Sequence, residues 1–307
     1  MDARVITVNG PIDPAQMGVT LSHEHIMVDF VGADKVDKRR YRPDDVVATM
    51  LPFLREARAL GVKTFVDCTP MYLGRDVQVL QRLSDLTGLN VLTNTGQYKE
   101  PYLPAETFTI EAKALADQWI REFEEGIDGT NIRPGFIKTA VSPTTLTTVQ
   151  RKVTQAAAIA SRRTGLTIAT HTGSGAAATE VLAILERSGV NPSNWIFVHA
   201  QNERDASLLI QIASQGVWIS LDGLGREGSA DEQLVPLLQL LDAGLEDRIL
   251  LSHDAGWYRV GEEPGGAKRP FTALLTEFIP AMRRSGITEE AIRAITVKNP
   301  SVAFAVS

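Results

Sequence analysis

Six polar residues lie near the ends of short apolar segments, and their side chains are of types that bind metal ions. They are His23, His25, Lys138, His171, His199 and Asp254. His23 and His25 are two residues apart, so on a strand both imidazoles point to one face. Burying them there is costly unless something binds them, and a metal ion would do so. The set therefore predicts a metal site, and its size favours two ions.

Only one histidine, His253, lies outside this set, and it directly precedes Asp254. The pair His23 and His25 alone is equally well explained by hydrogen-bonded histidines. His171 and His199 each end a separate apolar segment beside small residues. Four histidines and an aspartate at the same ends of several strands favour metal binding much more strongly than a set of core histidines.

Lys138 stands at the end of the apolar segment Gly135–Lys138, with no acidic residue adjacent. A buried ammonium without a partner loses its proton readily. The neutral amine can then react with carbon dioxide to give a carbamate, which could bridge two metal ions as a carboxylate would. The alternative is a lysine that extends to solvent, and without the histidines that alternative would be preferred.

The elements that must position these residues alternate regularly along the chain. Apolar segments predict strands at Val19–Val28, Lys63–Pro70, Asn90–Tyr98, Pro134–Val141, Leu166–Gly173, Trp195–Ala200, Gly216–Gly223 and Arg248–Ala255. Amphipathic segments predict helices at about Pro43–Leu60, Arg75–Leu86, Thr107–Glu125, Leu146–Thr164, Ala176–Ser188, Glu203–Gln215, Asp231–Ala243 and Pro270–Ser285. Eight such pairs predict an α/β fold of the (β/α)8 type, the TIM barrel, whose strand C-termini form the functional face.

The remaining segments complete a single predicted domain over residues 1–307. The first dozen residues predict a hairpin below the barrel, Thr288–Thr296 a short added helix, and Pro300–Val306 a last helical turn. No linker or internal repeat divides the chain. A doubly wound open sheet is the alternative, but no GxGxxG motif follows the first predicted strand.

Composition excludes several classes of function. The 307 residues carry a net charge of −6 and no basic stripe, so we expect no nucleic-acid partner. No apolar run is long enough to span a bilayer, so we expect no membrane association. Cys68 is the only cysteine, which rules out an intrachain disulfide. With no signal-peptide pattern at the N-terminus, the expected location is the cytoplasm.

Several motifs together resemble those of the phosphotriesterase-like group of the amidohydrolase superfamily, which includes the phosphotriesterase-like lactonases. The matching segments are Gly18–His25, Gly126–Lys138, Ser252–Gly256, Thr276–Gly286 and the strands that end in His171 and His199. They share the order and spacing of that family over nearly the whole chain. The combination is specific for the family and says little about the substrate.

This resemblance implies a role for each of the six residues. His23, His25 and Asp254 would hold the more buried of two divalent ions, and His171 and His199 the more exposed one. Carboxylated Lys138 and a hydroxide would bridge the ions, which are usually zinc in the family, with cobalt, manganese or iron as alternatives. The hydroxide would attack the substrate, and Asp254 would carry its proton toward the leaving group. Glu24, between the two histidines, faces away and is expected to orient a neighbouring group.

Loops after the strands should form the substrate pocket. Predicted substrate-binding residues are Tyr98, Lys99, Tyr102, Arg226, Trp257, Tyr258 and Arg259. By resemblance Tyr98 packs beside the metals, and Gly223 stands where related lactonases often carry an arginine, a contact that Arg226 could replace. With Lys268, the basic members could bind an anionic group, although solvated loop charge is the favoured explanation for each alone.

The expected activity is hydrolysis of a lactone or related carboxylic ester by this binuclear centre. Alternatives are hydrolysis of a phosphotriester, a phosphorylated lactone or an amide, and phosphotriester turnover could also be a side activity. A more remote alternative is a non-catalytic small-molecule binding protein, which has no need of a carboxylated lysine. The resemblance also allows a homodimer, although a barrel sequence does not reveal its interface.

Overall fold

A computed structural model describes residues 3–226 and 228–306. Its strands are β1 (Arg4–Thr7), β2 (Gly10–Ile12), β3 (Thr20–Val28), β4 (Thr64–Asp67), β5 (Asn90–Leu92), β6 (Asn94–Thr95), β7 (Phe136–Ala140), β8 (Ile168–His171), β9 (Trp195–Val198), β10 (Trp218–Leu221), β11 (Ile249–Leu251), β12 (Gly256–Arg259) and β13 (Ala305–Val306). All eight predicted strands contain at least one of these.

The strands from β3 to β11 pair in parallel and in chain order. β5 and β6 are two parts of one predicted strand, interrupted at Thr93. The ring closes because β11 lies beside β3. There the Ser22 hydroxyl donates to the Leu251 carbonyl at 3.0 Å, and the Asp254 amide donates to the His23 carbonyl at 3.0 Å. The fold is the predicted (β/α)8 barrel.

Helices follow most of the strands and cover the outside of the barrel. They are α1 (Pro43–Ala59), α2 (Val77–Thr87), α3 (Ala105–Thr109), α4 (Ala112–Glu125), α5 (Thr148–Thr164), α6 (Gly175–Arg187), α7 (Ala206–Ser214), α8 (Ser229–Asp242), α9 (Ile279–Arg284), α10 (Glu289–Arg293) and α11 (Asn299–Ala303). Their ends follow local capping chemistry. Thr147 and Gln150 form a capping box at the start of α5, and Gly165 ends that helix in the left-handed conformation. None of the helices in the described ranges is long and apolar enough to cross a membrane.

Two predicted helices were wrong in detail. The segment predicted as Thr107–Glu125 forms two helices, α3 and α4, because Ile110 is extended between them. The predicted last helical turn, Pro300–Val306, ends as a helix at Ala303. Ala305 and Val306 then pair antiparallel with β1, whose free edge offers unpaired backbone groups to the returning chain.

The predicted hairpin of β1 and β2 forms, and it closes the N-terminal end of the barrel. Val5 from β1 packs inside with Leu92, Phe136 and Phe304, all almost completely buried. This apolar floor leaves the opposite, C-terminal end of the strands as the place where polar side chains can meet. The six candidate metal ligands belong to that end.

Candidate metal centre and active site

A small cavity of about 60 Å³ opens at the C-terminal ends of the barrel strands. It is lined by His23, His25, Val28, Phe30, Leu73, Tyr98, Lys138, His171, His199, Asp254 and Trp257. All six residues predicted to hold metal are therefore brought together: four lie on the strands β3, β7 and β8, and His199 and Asp254 lie in the segments that follow β9 and β11. Their individual roles as ligands stay predictions.

The first cluster consists of His23, His25 and Asp254, whose possible ligand atoms lie within 4.8 Å of one another. Asp254 Oδ1 is 3.1 Å from His25 Nε2 and 3.6 Å from His23 Nε2. Burial raises the pKa of Asp254, but its hydrogen bond with His25 and the charges of neighbouring histidines outweigh this and lower it to about 2. An ionised carboxylate beside two imidazoles is a donor set that suits a divalent cation.

The second cluster is formed by His171 and His199. His199 Nε2 lies 2.8 Å from His171 Nδ1, and the His199 ring centroid is 5.1 Å from that of His23. Burial is the main cause of the lowered pKa of His171 and of His23. Neutral imidazole is the form that binds metals, so these histidines are in the right state to do so. The two clusters adjoin each other, as a binuclear site requires.

Lys138 lines the same cavity as both clusters and is almost completely buried. Its amine has no hydrogen-bond partner among the described residues, and the same holds for His23 Nδ1. Burial lowers the pKa of Lys138. Gly96 allows β7, the strand that carries Lys138, to pack closely, because a Cβ at Gly96 would overlap the Lys138 carbonyl oxygen. A buried amine that has no hydrogen-bond partner and lies among possible metal ligands is suited to form a carbamate that binds metal ions.

Asp222, which the sequence did not single out, holds His199 in place. Its carboxylate accepts hydrogen bonds from His199 Nδ1 at 2.7 Å, from the Ser220 hydroxyl at 2.7 Å and from the Gln201 amide at 2.9 Å. A bond at Nδ1 leaves Nε2 directed into the site, which is the usual arrangement of a metal-binding histidine. An acidic residue at the end of an apolar strand was the signal that could have identified it.

Glu24 holds the segment that carries Asp254. Glu24 Oε1 accepts from the Ser252 hydroxyl at 2.7 Å and from the backbone N–H and Nδ1 of His253 at 3.1 Å and 2.5 Å, while Oε2 accepts from the Ala255 N–H at 2.9 Å. His253 Nε2 in turn accepts from the Leu274 N–H at 2.9 Å. One buried carboxylate thereby fixes the loop on both sides of Asp254.

We expect Glu24→Gln to weaken metal binding by about 10- to 100-fold. Glutamine replaces one accepting oxygen of Glu24 by an NH2 group, so the N–H and O–H groups that bonded to that oxygen lose their acceptor. Competition with a chromophoric chelator measures this affinity directly. Glu180→Gln is the matched control, since Glu180 accepts from Leu146 and Arg151 away from the site. Equal chelator competition by the folded Glu24→Gln variant and the wild type would contradict this assignment.

Of the aromatic residues predicted for substrate binding, Tyr98 and Trp257 line the cavity and Tyr102 packs beside Tyr98. The Tyr98 hydroxyl lies 2.9 Å from His171 Nδ1, and Trp257 lies edge-on to His25 with ring centroids 5.3 Å apart. Tyr102 extends this wall through Phe30, at 5.7 Å between ring centroids. These side chains give the entrance an aromatic character. Their contact with substrate stays a prediction.

The other predicted substrate-binding residues have different positions. The Lys99 amine donates to the Val141 carbonyl. Tyr258, which lies on β12, packs against Gly265. Neither residue lines the cavity at the clusters. Arg226 Nη2 lies 3.5 Å from Asp254 Oδ2, and Arg259 lies further out on the same side.

A side chain at Gly223, where the resemblance implies an arginine in related lactonases, would require the flexible side chain of Gln233 to move. A Cβ there would overlap the side-chain amide of Gln233. Arg226, three residues further along the chain, approaches Asp254. Its replacement of the arginine contact stays a prediction.

Comparison with known proteins agrees with this geometry. The chain belongs to the phosphotriesterase family, whose model matches residues 3–304. It is 31% identical to a phosphotriesterase homology protein of Escherichia coli, over 94% of this chain and 98% of the relative. It is also 31% identical to an aryldialkylphosphatase of Saccharolobus solfataricus, over 95% and 96%, and 26% identical to a human N-acetyltaurine hydrolase, over 98% and 97%. The protein is a metal-dependent hydrolase.

Proposed function

We propose that this hydrolase cleaves a lactone or a related carboxylic ester with a binuclear centre. His23, His25 and Asp254 would hold one divalent ion, His171 and His199 would hold the other, and carboxylated Lys138 would contribute to both. Zinc is the metal we propose, because nitrogen and carboxylate donors suit it well. The buried Lys138 amine, which lines the same cavity as the two clusters and has no hydrogen-bond partner among the described residues, supports the bridging role.

When bound, the ions would polarise the scissile carbonyl and activate water as the nucleophile. The chain itself supplies the proton transfers and the orientation. Asp254 accepts a proton at its carboxylate and passes it to the leaving alkoxide. Burial raises the pKa of Tyr98, so its phenol stays protonated and can donate to a substrate oxygen. Trp257 and Phe30 exclude water from the entrance.

The narrowness of the cavity is the observation that favours a carboxylic ester. At about 60 Å³ it is far smaller than the roughly 300–1,000 Å³ typical of sites for drug-sized ligands. An ester carbonyl presents a planar centre with two substituents. A phosphotriester presents a tetrahedral centre with three substituents, which require more space at the clusters than those of an ester.

Two other reactions have specific support from the relatives. The relative from Saccharolobus solfataricus is named an aryldialkylphosphatase, and the human one is named an N-acetyltaurine hydrolase. The same donor set could therefore serve a phosphotriester or an amide. A binding protein without catalysis remains the most remote alternative, because a pure binder has no need of a bridging lysine.

A matched substrate panel separates these possibilities. We expect the zinc-loaded protein to hydrolyse lactones and simple esters with a kcat/KM about tenfold or more above that for amides and phosphotriesters, a difference of about 1.4 kcal/mol. Protein stripped of metal by chelation is the control for each substrate. Preference for the amide or the phosphotriester would replace this proposal with that alternative, and bound metal without turnover of any class would favour a binding protein.

A further inference from the structure

A second cavity, of about 320 Å³, opens beside the metal pocket. It is lined by Arg226, Gly256, Trp257, Arg259, Ala267 and Arg269. Trp257 lines both cavities, so a molecule bound at the metal clusters can extend past this indole into the second space. Three guanidinium groups surround the space, and none of the described residues that line it carries a carboxylate. We call it the arginine cavity.

The charges of the arginine cavity are incompletely neutralised. Arg226 Nη2 lies 3.5 Å from the carboxylate of Asp254, which is itself a proposed metal ligand. Arg259 lies 3.6 Å from Glu262, and both side chains are about half exposed, which makes this a weak pair. The Arg269 guanidinium donates to the backbone carbonyls of Leu224, His253 and Asp254, which carry no net charge.

The three arginines also face one another, since Arg226, Arg259 and Arg269 all line the same cavity. Holding like charges together costs free energy unless an anion lies between them. Among the described residues, the carboxylates that act on this cluster are those of Asp254, Glu24 and Glu262.

The loop that presents these groups is held in a demanding conformation. Trp257 has φ +74°, a left-handed backbone that is costly for a bulky side chain. Its indole N–H donates to the Asp254 carbonyl at 3.1 Å, and the Arg259 guanidinium lies 6.0 Å from its ring centroid. Arg259 Nε is buried and has no hydrogen-bond partner in the part of the chain that is described. Backbone strain and an unused donor together indicate a site whose ligand is not part of the chain.

We propose that the arginine cavity binds an anionic oxygen-bearing group of the substrate, so that the scissile carbonyl and a negatively charged substituent occupy the two adjoining cavities. This inference rests on the proposed function and narrows it to acyl substrates with a terminal carboxylate or similar oxyanion. Guanidinium groups bind such anions through paired, charge-assisted hydrogen bonds. Arg226 and Arg259, the more exposed of the three, make these contacts, and Arg269 fixes the loop backbone.

A pair of chromogenic esters tests this assignment. 4-Nitrophenyl butanoate has a neutral acyl chain, and mono-4-nitrophenyl glutarate has the same reacting group with a terminal carboxylate. We expect the zinc-loaded protein to favour the glutarate ester by about tenfold or more in kcat/KM. Arg259→Gln and, separately, Arg226→Gln should lower this preference several-fold, mainly by raising KM for the charged ester. Arg187→Gln is the matched control, because Arg187 is exposed on α6 and its loss removes the same charge.

Direct binding gives a readout that does not depend on turnover. Glutarate and butanoate each bring one carboxylate to the metals, and only glutarate has a second for the arginines. Calorimetry on the zinc-loaded protein should show tighter glutarate binding, and the advantage should shrink in Arg259→Gln and Arg226→Gln but not in Arg187→Gln. Equal binding of the two acids by the wild type would overturn the assignment. If that equality accompanies normal ester turnover, the proposed hydrolysis stands and only the anion site fails. If no ester is hydrolysed but glutarate binds tightly, the anion site stands and the proposed function fails.

Discussion

Lys138→Ala is expected to lower the metal content from about two ions per chain to about one or fewer, and kcat/KM by about 100-fold or more. The physical reason is proximity, because the buried Lys138 lines the same cavity as both histidine clusters. The amine has no hydrogen bond to lose among the described residues, but truncation leaves a cavity that costs about 2–5 kcal/mol of stability, so circular dichroism must first show that the variant is folded. Elemental analysis of the purified proteins measures the effect.

The control for this variant is Lys99→Ala, which removes a neighbouring lysine whose amine bonds to the Val141 carbonyl. Its metal content should equal that of the wild type. The carbamate is tested separately by supplying carbon-13 bicarbonate and observing a new resonance in the wild type that Lys138→Ala lacks. Unchanged metal content in Lys138→Ala would remove the bridge and, with it, the binuclear mechanism.

Asp254→Asn is expected to lower kcat by about 100-fold or more while metal content falls much less. Asparagine keeps the size of the side chain and tolerates the left-handed backbone of this position, at φ +52°. What it loses is the ability to accept a proton and carry it to the leaving group. Single-turnover kinetics beside elemental analysis separates the two effects.

The control for Asp254→Asn is Asp247→Asn, since Asp247 is an exposed aspartate just before β11. It should match the wild type in both measurements. A parallel loss of metal and activity in Asp254→Asn would mean that the residue acts as a ligand only. Wild-type activity in that variant would remove the proton-transfer role altogether.

The barrel and the clustering of six residues could be predicted because they depend on local patterns. Apolar strands alternate with amphipathic helices, and parallel strands in a barrel present their C-terminal ends on one face. Strand ends were less predictable. The segment predicted as the strand Arg248–Ala255 is a strand only as far as Leu251. Beyond it, the Ser252 hydroxyl and the backbone N–H groups of His253 and Ala255 donate hydrogen bonds to the Glu24 carboxylate instead of to a neighbouring strand.

The residues that support the site were harder to find in the sequence. Glu24 and His253 are 229 positions apart and meet only because the last strand closes against the first. Arg269 likewise reaches the Asp254 carbonyl from the end of a long loop. Such contacts depend on closure of the barrel and on loop conformation, and neither produces a periodic pattern in the amino-acid sequence. Asp222 is the exception, since its place at a strand end was visible.

The left-handed backbone at His199 and Asp254 has a consequence for how this protein can accumulate mutations. Both positions have positive φ, at +62° and +52°, where most residues cost about 1–2 kcal/mol and only glycine, asparagine, aspartate and histidine are well tolerated. The residues that tolerate the conformation overlap with those that can ligate a metal. Most substitutions that remove a ligand at these two sites should therefore also reduce stability, with glycine and asparagine as the exceptions. In a saturation library selected for folding alone, we expect both positions to be enriched in glycine, asparagine, aspartate and histidine, the last two of which are common metal ligands.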